Sequence, residues 1–241
     1  MSDGTGGPDG SGRDVDWTTL DCDELSTRQI NQALRGLPPG SRARIVNPRG
    51  RHSLGVGLLH HLDISIDGDV GHYAGGLCDG PDIRVGGFAG WAAGENLMRG
   101  SIRIGGNASE RVGASAHGGT IVVDGDASTR AAISLKGGTV LVAGDVGNFS
   151  AFMAQAGVLL VGGDAGEALG DSLYEAVVYV GGAIKSLGSD AQVEELTERD
   201  VARVRDCVDL AGFSHVSPEN VTRVASARQL YNFDAVKAHH Y

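Results

Sequence analysis

The chain has 241 residues and a formal net charge of −10, and 39 of its residues are glycine. This share is about twice the usual ~7%, but the glycines keep no three-residue register, which excludes collagen. The acidic balance disfavours a nucleic-acid-binding surface, which needs clustered Lys and Arg. The three cysteines lie far apart in the sequence, so they exclude a disulfide framework and favour a reduced, cytoplasmic setting.

The N-terminal part of the chain, up to Leu62, is expected to precede the main fold. Residues 1–15 contain no apolar run, which predicts a disordered tail without a secretory signal. Residues 16–62 are predicted to form an N-terminal cap of one helix and one strand. Ser26 is a candidate helix N-cap with Gln29 completing a capping box, Gly36 ends the helix, and Arg42–Val46 has the pattern of a strand.

The central part of the chain is a repeat. Aliphatic triplets begin at Ile64 and recur every 19 residues, seven times, up to the triplet at Val178. The outer two residues of each triplet are aliphatic, as in strands that bury alternate side chains, whereas the segments between triplets lack the helical spacing that a leucine-rich repeat requires. The repeat predicts an all-β fold: a right-handed, single-stranded parallel β-helix of seven 19-residue coils over residues 63–190, with short helical caps at both ends.

A glycine follows every triplet at the same position. We predict that these glycines turn the chain after each strand by adopting positive φ. An Asp or Asn often comes next, which is typical of side chains that accept hydrogen bonds from turn amides. A calcium ladder is the alternative interpretation. Known calcium ladders have nine-residue repeats, so no metal site is predicted. The predicted turn glycines are Gly68, Gly87, Gly106, Gly125, Gly144, Gly163 and Gly182.

One outward-facing row changes from polar to apolar along the repeat. The middle triplet residue is Ser65, Arg84 or Arg103 in the first three coils and apolar in the last four. Such a stripe is costly in water, so either a terminal segment of the chain or a partner protein covers it. Together with the aromatic and Met residues of "VGNFSAFMAQAG", it gives a candidate interface: Val122, Leu141, Phe149, Phe152, Met153, Leu160 and Tyr179.

Residues 191–241 are predicted to be a C-terminal helical extension. Thr197 and Asp200 form a capping box for a helix that ends at Gly212, and Ser217–Pro218 is predicted to begin a second helix. The apolar residues of the final segment, Leu230, Tyr231 and Phe233, suggest a docked extension.

The sequence contains no pattern that predicts a catalytic, cofactor-binding or metal-binding residue. The pairs His60–His61 and His239–His240 have no spaced Cys, Asp or Glu partners. No nucleophile elbow or phosphate-binding loop is present. Pectate-lyase-like enzymes use a polar flank groove and are secreted, and the sequence shows neither feature.

Several segments resemble a known family. The 19-residue glycine-rich coils with "SAFMAQAG", "GDAGEALGDSLYEA" and "YVGGAIKSLGSDAQ" resemble the C-terminal (GXGXG) β-helix domain of the large glutamate synthase subunit. Within that family, "NPRGRHSLGVGL", "ENLMRG", "SAHGGT" and "ISLKGG" are similar to the free-standing β-helix subunit of methylamine–glutamate N-methyltransferase. The resemblance runs from about Asp23 to Phe233.

The resemblance implies a non-catalytic scaffold without a cofactor of its own. It implies two partners: a flavin-containing glutamate-synthase-like subunit, which would hold FMN and an iron–sulfur cluster, and a glutaminase-like amidotransferase subunit. The complex would make N-methylglutamate. The same repeat also resembles the β-helix subunit of formylmethanofuran dehydrogenase, so a scaffold in that type of complex, or in another amidotransferase-linked one, is the alternative.

Overall fold

The structure is a computed structural model that describes residues 17–228. Within this range the chain forms eleven β-strands and two α-helices. In chain order they are β1 (Trp17–Asp21), α1 (Thr27–Gly36), β2 (Arg42–Val46), β3 (Asp63–Ile66), β4 (Asp79–Val85), β5 (Arg99–Ile104), β6 (Thr120–Val123), β7 (Lys136–Val142), β8 (Ala156–Val161), β9 (Val177–Val180), β10 (Ala191–Glu194), α2 (Glu198–Ala211) and β11 (Thr222–Ser226).

The predicted parallel β-helix is confirmed. Strands β3 to β9 pair in parallel, each with the next, and the ladder joins the first residue of every triplet to that of the next, from Ile64 to Val178. A second row of parallel bridges keeps the same spacing from Val70 to Ile184. The inner side chains of the strands, with the small residues of the connecting segments, fill one continuous core. Equal coil length is therefore what keeps the seven aliphatic triplets in register.

The solenoid begins earlier in the chain than the triplets indicate. β2 pairs in parallel with β3, with Arg42 opposite Asp63, and β1 pairs in parallel with β2. The step from Arg42 to Asp63 is two residues longer than the regular step from Asp63 to Asp82. Because of this longer period, a search for the regular repeat does not find the first coil, and β1 was not predicted from the sequence.

Helix α1 covers the exposed backbone of this first coil. Ser26 and Gln29 form the predicted capping box, and the helix includes Gly36, although Leu37 after it is extended rather than left-handed. The buried side chain of Asn31 donates from Nδ2 to the Ser53 carbonyl at 2.8 Å and accepts from the Gly55 amide at 2.9 Å. The side-chain amide of Asn31 thus makes the two hydrogen bonds to the backbone of this coil that the backbone of a preceding coil would otherwise make.

The C-terminal end is built differently from the prediction. The predicted helix at Ser217–Pro218 is wrong: Asn220 closes a turn onto the Ser217 carbonyl, and the chain continues as β11. β11 pairs antiparallel with both β9 and β10, so the last parallel strand has a partner on its open edge. This antiparallel pairing, rather than a helix, protects the sheet edge from association with other chains.

Helix α2 has the predicted capping box at Thr197 and Asp200 and a left-handed Gly212 at its end. It packs on the outward face of the sheet, against the apolar row of the strands. Neither helix within residues 17–228 has the length and apolarity that crossing a bilayer requires.

The turn glycines serve close approach rather than positive φ. Of the seven, Gly68 alone has φ in the left-handed range, at 130°. At five others an added Cβ would lie 2.0–2.2 Å from the side-chain oxygen of an Asp or Asn one coil earlier: Gly87, Gly125, Gly144, Gly163 and Gly182. The predicted conformational reason is therefore wrong for six of the seven, and the space is needed by a neighbouring side chain.

Those Asp and Asn side chains link consecutive coils. Asp126 Oδ1 accepts from the Asp145 amide at 2.9 Å, and Asp145 Oδ1 accepts from the Asp164 amide at 2.7 Å. Asp69, Asn107 and Asp164 make the equivalent bond to the next coil. The sequence predicted amide capping within a turn, whereas these side chains cap the turn of the next coil.

Positive φ occurs elsewhere, in two columns of residues that were not predicted from the sequence. Non-glycine residues at equivalent positions of successive coils have φ between 52° and 63°. Amides in these columns donate to carbonyls of the next coil, as Tyr73 does to Trp91 and Leu77 does to Glu95, both at 2.8 Å. These bonds offset a left-handed conformation that costs about 1–2 kcal/mol per residue. The first column is Ser53, Tyr73, Ala92, Arg111, Arg130, Phe149 and Ala168, and the second is Leu77, Asn96, Ser115, Ser134, Met153 and Ser172.

Candidate functional site

The apolar stripe on the sheet is covered by the chain itself. Leu141, Leu160 and Tyr179 are fully buried and Val122 is 6% exposed. They pack in a second hydrophobic core with α2 and the segment that follows it: Val204, Cys207, Val208, Ala211, Phe213, Val216 and Val221. Of the two alternatives, the C-terminal segment of the chain covers the stripe, and these four candidate interface residues do not face a partner.

A buried polar network fixes α2 to the sheet. The Tyr179 hydroxyl donates to Asp200 Oδ1 at 2.6 Å, and Arg223 Nε contacts the same oxygen at 3.1 Å. Arg223 also pairs with Glu194, and Asp200 caps α2 through Thr197. The network connects β9, β10, β11 and α2, so its role is structural.

The network also shifts the titration of its members. Burial alone would raise the pKa of Asp200, but the hydrogen bonds from Thr197 and Tyr179 and the charge of Arg223 outweigh it and lower that pKa to about 2. Burial and the hydrogen bond to Asp200 raise the pKa of Tyr179 to about 12. Near neutral pH the carboxylate is therefore charged and the phenol is neutral, which is the pair of states that the hydrogen bond needs.

Two histidines form a stack at the N-terminal corner of the solenoid. The His52 and His72 rings lie 4.3 Å apart between centroids, and the indole of Trp91 meets His72 edge-on at 5.0 Å. His52 Nδ1 accepts from the His72 amide at 2.8 Å, and His72 Nδ1 accepts from the Trp91 amide at 3.2 Å. Both Nδ1 atoms are thus occupied as acceptors. The rings border an open depression of about 650 Å³ that Asp69 and Phe88 also line.

The structure gives His61 neighbours that sequence spacing did not reveal. His61, Asp63 and Asp82 place one ligand-type atom each within 4.8 Å of one another. They come together because Asp63 and Asp82 face each other in the β3–β4 ladder. Asp82 already accepts from the Ser101 hydroxyl at 2.5 Å, Asp63 lies 3.7 Å from Arg42, and all the groups are at least partly exposed. The arrangement is accounted for as a row of polar side chains along the strand edge.

His239–His240 lie outside the described residues, as do Leu230, Tyr231 and Phe233.

The remaining interface candidates lie on the surface that carries the two left-handed columns. Phe149 and Met153 are each 39% exposed, and Phe152 is half-buried with its ring 6.3 Å from that of Phe149. Their outward orientation follows from the alternation of the coil, since Ala151 and Ala154 point into the core. The role of Phe149, Phe152 and Met153 in binding a partner stays a prediction.

Further large apolar side chains are exposed near the same columns. Tyr73 and Leu77 belong to the columns, and Trp91 immediately precedes the Ala92 position. Their exposed fractions are 44%, 58% and 45%. Within "GWAAGENLMRG", Leu97 points into the core, whereas Met98 is exposed. The described part of the chain therefore leaves an apolar strip uncovered along the coils.

Comparison with known proteins gives a partial relationship. No protein-family model matches the chain. A stretch of 64 residues is 40% identical to Protein GlxC of Rhizobium meliloti (strain 1021), and the match covers 25% of this chain and 28% of that protein. The chain thus matches little more than a quarter of the length of this relative.

Proposed function

We propose that this chain is a non-catalytic scaffold subunit of a glutamate-synthase-like complex, and specifically of methylamine–glutamate N-methyltransferase, which makes N-methylglutamate. The observation that carries the proposal is the combination of a solenoid whose aliphatic triplets stay in register from coil to coil and exposed aromatic and Met side chains along it. A rigid stack of coils holds contact residues at fixed separations, which suits a subunit that positions other proteins. The motifs that resemble the glutamate synthase β-helix domain support the choice of complex.

The partners follow from the resemblance. A flavin-containing glutamate-synthase-like subunit would hold FMN and an iron–sulfur cluster, and a glutaminase-like subunit would supply or exchange the amine. Iron–sulfur clusters need several Cys thiolates together. Among residues 17–228 the group of metal-type ligands is His61, Asp63 and Asp82, which includes no thiol, and Cys22, Cys78 and Cys207 are each buried and unpaired. The proposal therefore places the cluster in the partner.

Reconstitution with and without this chain tests the proposal. The two larger subunits, purified from cells that lack this chain, are expected to regain formation of N-methylglutamate from methylamine and glutamate when the purified chain is added. The flavin and iron content should stay with the larger subunits. Turnover by the isolated chain, or no effect of its addition, would contradict the scaffold role. Tungsten or molybdenum in the partner subunits would instead favour the formylmethanofuran dehydrogenase-type complex.

A further inference from the structure

Two arginines lie in the middle of the uncovered strip, and no carboxylate of the described residues pairs with either of them. Arg111 and Arg130 occupy the same column in consecutive coils, about 4.8 Å apart along the stack. Among residues 17–228 neither guanidinium has an acidic side chain within salt-bridge distance, although the protein as a whole has a net charge of −10. Like charges at this spacing repel, so an anion bound between them would relieve the repulsion.

Aromatic rings hold the two guanidinium groups in place. Arg111 Cζ lies 5.5 Å from the Trp91 ring centroid, and Arg130 Cζ lies 5.8 Å from that of Phe149. Cation–π contacts of this kind orient a guanidinium while leaving its N–H groups available. We call Trp91, Arg111, Arg130 and Phe149 the arginine–aromatic stripe. From Tyr73 to Phe149 the column it belongs to extends over four coil steps, about 19 Å.

The same corner contains two buried polar atoms without partners. Within the described chain, the buried side-chain nitrogen and oxygen atoms that lack a hydrogen bond are Arg111 Nε and Thr129 Oγ1. The two residues are adjacent, since the Arg111 amide donates to the Thr129 carbonyl at 3.0 Å. A buried polar group left unpaired is costly, so contacts within the described chain leave a cost at this corner that they do not relieve.

Apolar surface flanks the stripe at both ends. At one end Tyr73 and Leu77 border a depression of about 180 Å³ with Gly76 among its lining residues, a volume on the scale of one large side chain. At the other end Phe149 and Met153 are exposed. The surface thus alternates apolar, cationic and apolar along its length. Nucleic acid fits poorly, because the positive charge is confined to two arginines within an acidic protein.

We infer that the arginine–aromatic stripe is the docking site for an acidic, apolar-flanked segment of another protein, with Asp or Glu carboxylates of that segment bound between Arg111 and Arg130. In this arrangement carboxylates accept charge-assisted hydrogen bonds from the two guanidinium groups. Apolar side chains of the segment cover Tyr73, Leu77, Phe149 and Met153. The inference deepens the proposed function and rests on it in one respect, that the segment belongs to a subunit of the proposed complex.

The first experiment compares variants in the native assembly. Tagged full-length chain is purified from its own cells as wild type, as Arg111→Glu/Arg130→Glu, and as the milder Arg111→Gln/Arg130→Gln. Arg84→Glu is the matched control, because Arg84 is exposed and forms no salt bridge with a described residue but lies on the sheet face. We expect the charge reversal to lower the recovered partner at least about tenfold and the Gln pair to lower it less. Unchanged melting temperatures confirm that the variants are folded.

The outcomes separate this inference from the proposed function. If wild type and both double variants recover the same partner equally, the scaffold role stands and the docking site is overturned. If the wild type instead forms a dimer of this chain that Arg111→Glu/Arg130→Glu breaks, the occupant is a second copy and the inference is wrong. Equal loss of the partner with Arg84→Glu also overturns it, because the effect is then one of net charge.

If the wild type recovers no stoichiometric partner, which contradicts the proposed function, a peptide binding assay decides the inference. The probe is a short synthetic peptide of alternating Glu and Leu, with Gln–Leu and Lys–Leu peptides as controls. Binding is followed by the fluorescence of Trp91 after Trp17→Phe removes the other tryptophan. We expect a salt-sensitive change with the Glu–Leu peptide that Arg111→Gln/Arg130→Gln abolishes. An absent change, or an equal one with Gln–Leu, overturns the inference.

Discussion

Replacing Gly144 by alanine tests whether the turn glycines make room for the preceding coil. The new Cβ would lie 2.0 Å from Asp126 Oδ1 and 3.2 Å from the Gly125 carbonyl oxygen. Asp126 must then move, and its 2.9 Å hydrogen bond to the Asp145 amide is lost. The lost bond to a charged acceptor costs about 1.5–3 kcal/mol and the overpacking about 1–3 kcal/mol, while the Gly-to-Ala change itself returns about 0.4–1 kcal/mol through the unfolded chain. We expect a net loss of about 1.5–5.5 kcal/mol.

The measurement is thermal or urea unfolding followed by circular dichroism. For a chain of this size the loss corresponds to a fall of roughly 3–20 °C in Tm. Gly36→Ala is the matched control, because nothing lies within 4 Å of its added Cβ and its φ is not in the left-handed range; it should leave stability unchanged or slightly raised.

A double-mutant cycle identifies the cause of the loss. Asp126→Ala removes the oxygen that the new Cβ meets, so it should cost about 1.5–3 kcal/mol alone and make Gly144→Ala cheaper in the combined variant. If the losses of stability of the two single variants add up in the double variant, or if Gly144→Ala is as stable as Gly36→Ala, the close-approach explanation is refuted. The glycine would then be needed for its backbone conformation.

Three further predictions concern the sheet face, the buried network and the thiols. Leu160→Ala should cost about 2–5 kcal/mol in urea unfolding because the side chain is fully buried under α2, whereas the exposed Phe149→Ala should change stability by less than about 1 kcal/mol; equal losses would contradict the coverage of the stripe. The folded pKa of Asp200 is depressed to about 2 from 3.8, so its contribution, about 2 kcal/mol, is complete above pH 4 and is lost as pH falls towards 2. Asp200→Asn should be less stable near neutral pH and show a smaller decline between pH 4 and 2, and an unchanged pH profile would exclude this origin. Burial raises the pKa of the thiols of Cys22, Cys78 and Cys207. The native chain should therefore react with a thiol reagent only on unfolding, and rapid labelling of the folded protein would contradict their burial.

The repeat could be predicted from the sequence because one period governs both side-chain burial and strand pairing. Each triplet from Ile64 to Val178 has to bury its outer residues, and a constant spacing is the condition for stacking them. The capping boxes at Ser26 and Thr197 were predictable for the same kind of reason, since the two partners of each box are one helical turn apart in the sequence. Local patterns of this type need no knowledge of the tertiary structure.

The features that were not predicted depend on contacts between distant residues. The 2.0 Å approach of a Gly144 Cβ to Asp126 Oδ1 joins neighbouring coils, and no single turn reveals it. Positive φ at Tyr73 and Arg111 is held by amide bonds to the next coil, although neither residue type favours that conformation. The β11 strand was mistaken for a helix because Ser217–Pro218 is a good helix start, whereas pairing with β9 decides its structure.

For the candidate interface residues, too, the sequence indicated a local property but not the contact that satisfies it. An outward apolar residue indicates that something covers it, but sequence does not say what. For Leu141 and Leu160 the cover is α2 of the same chain, whereas Phe149 and Met153 remain exposed in the described structure. Arg111 and Trp91 belong to different coils, so their contact is visible only when the coils are stacked.

Native mass spectrometry of the assembly isolated from the organism's own cells tests the central claim most directly. The scaffold account predicts one mass that contains this chain together with a flavin-containing glutamate-synthase-like subunit and a glutaminase-like subunit in fixed ratio, with FMN and iron on the larger partner. Recovery of this chain alone under the same conditions, or carrying the flavin itself, would contradict the account.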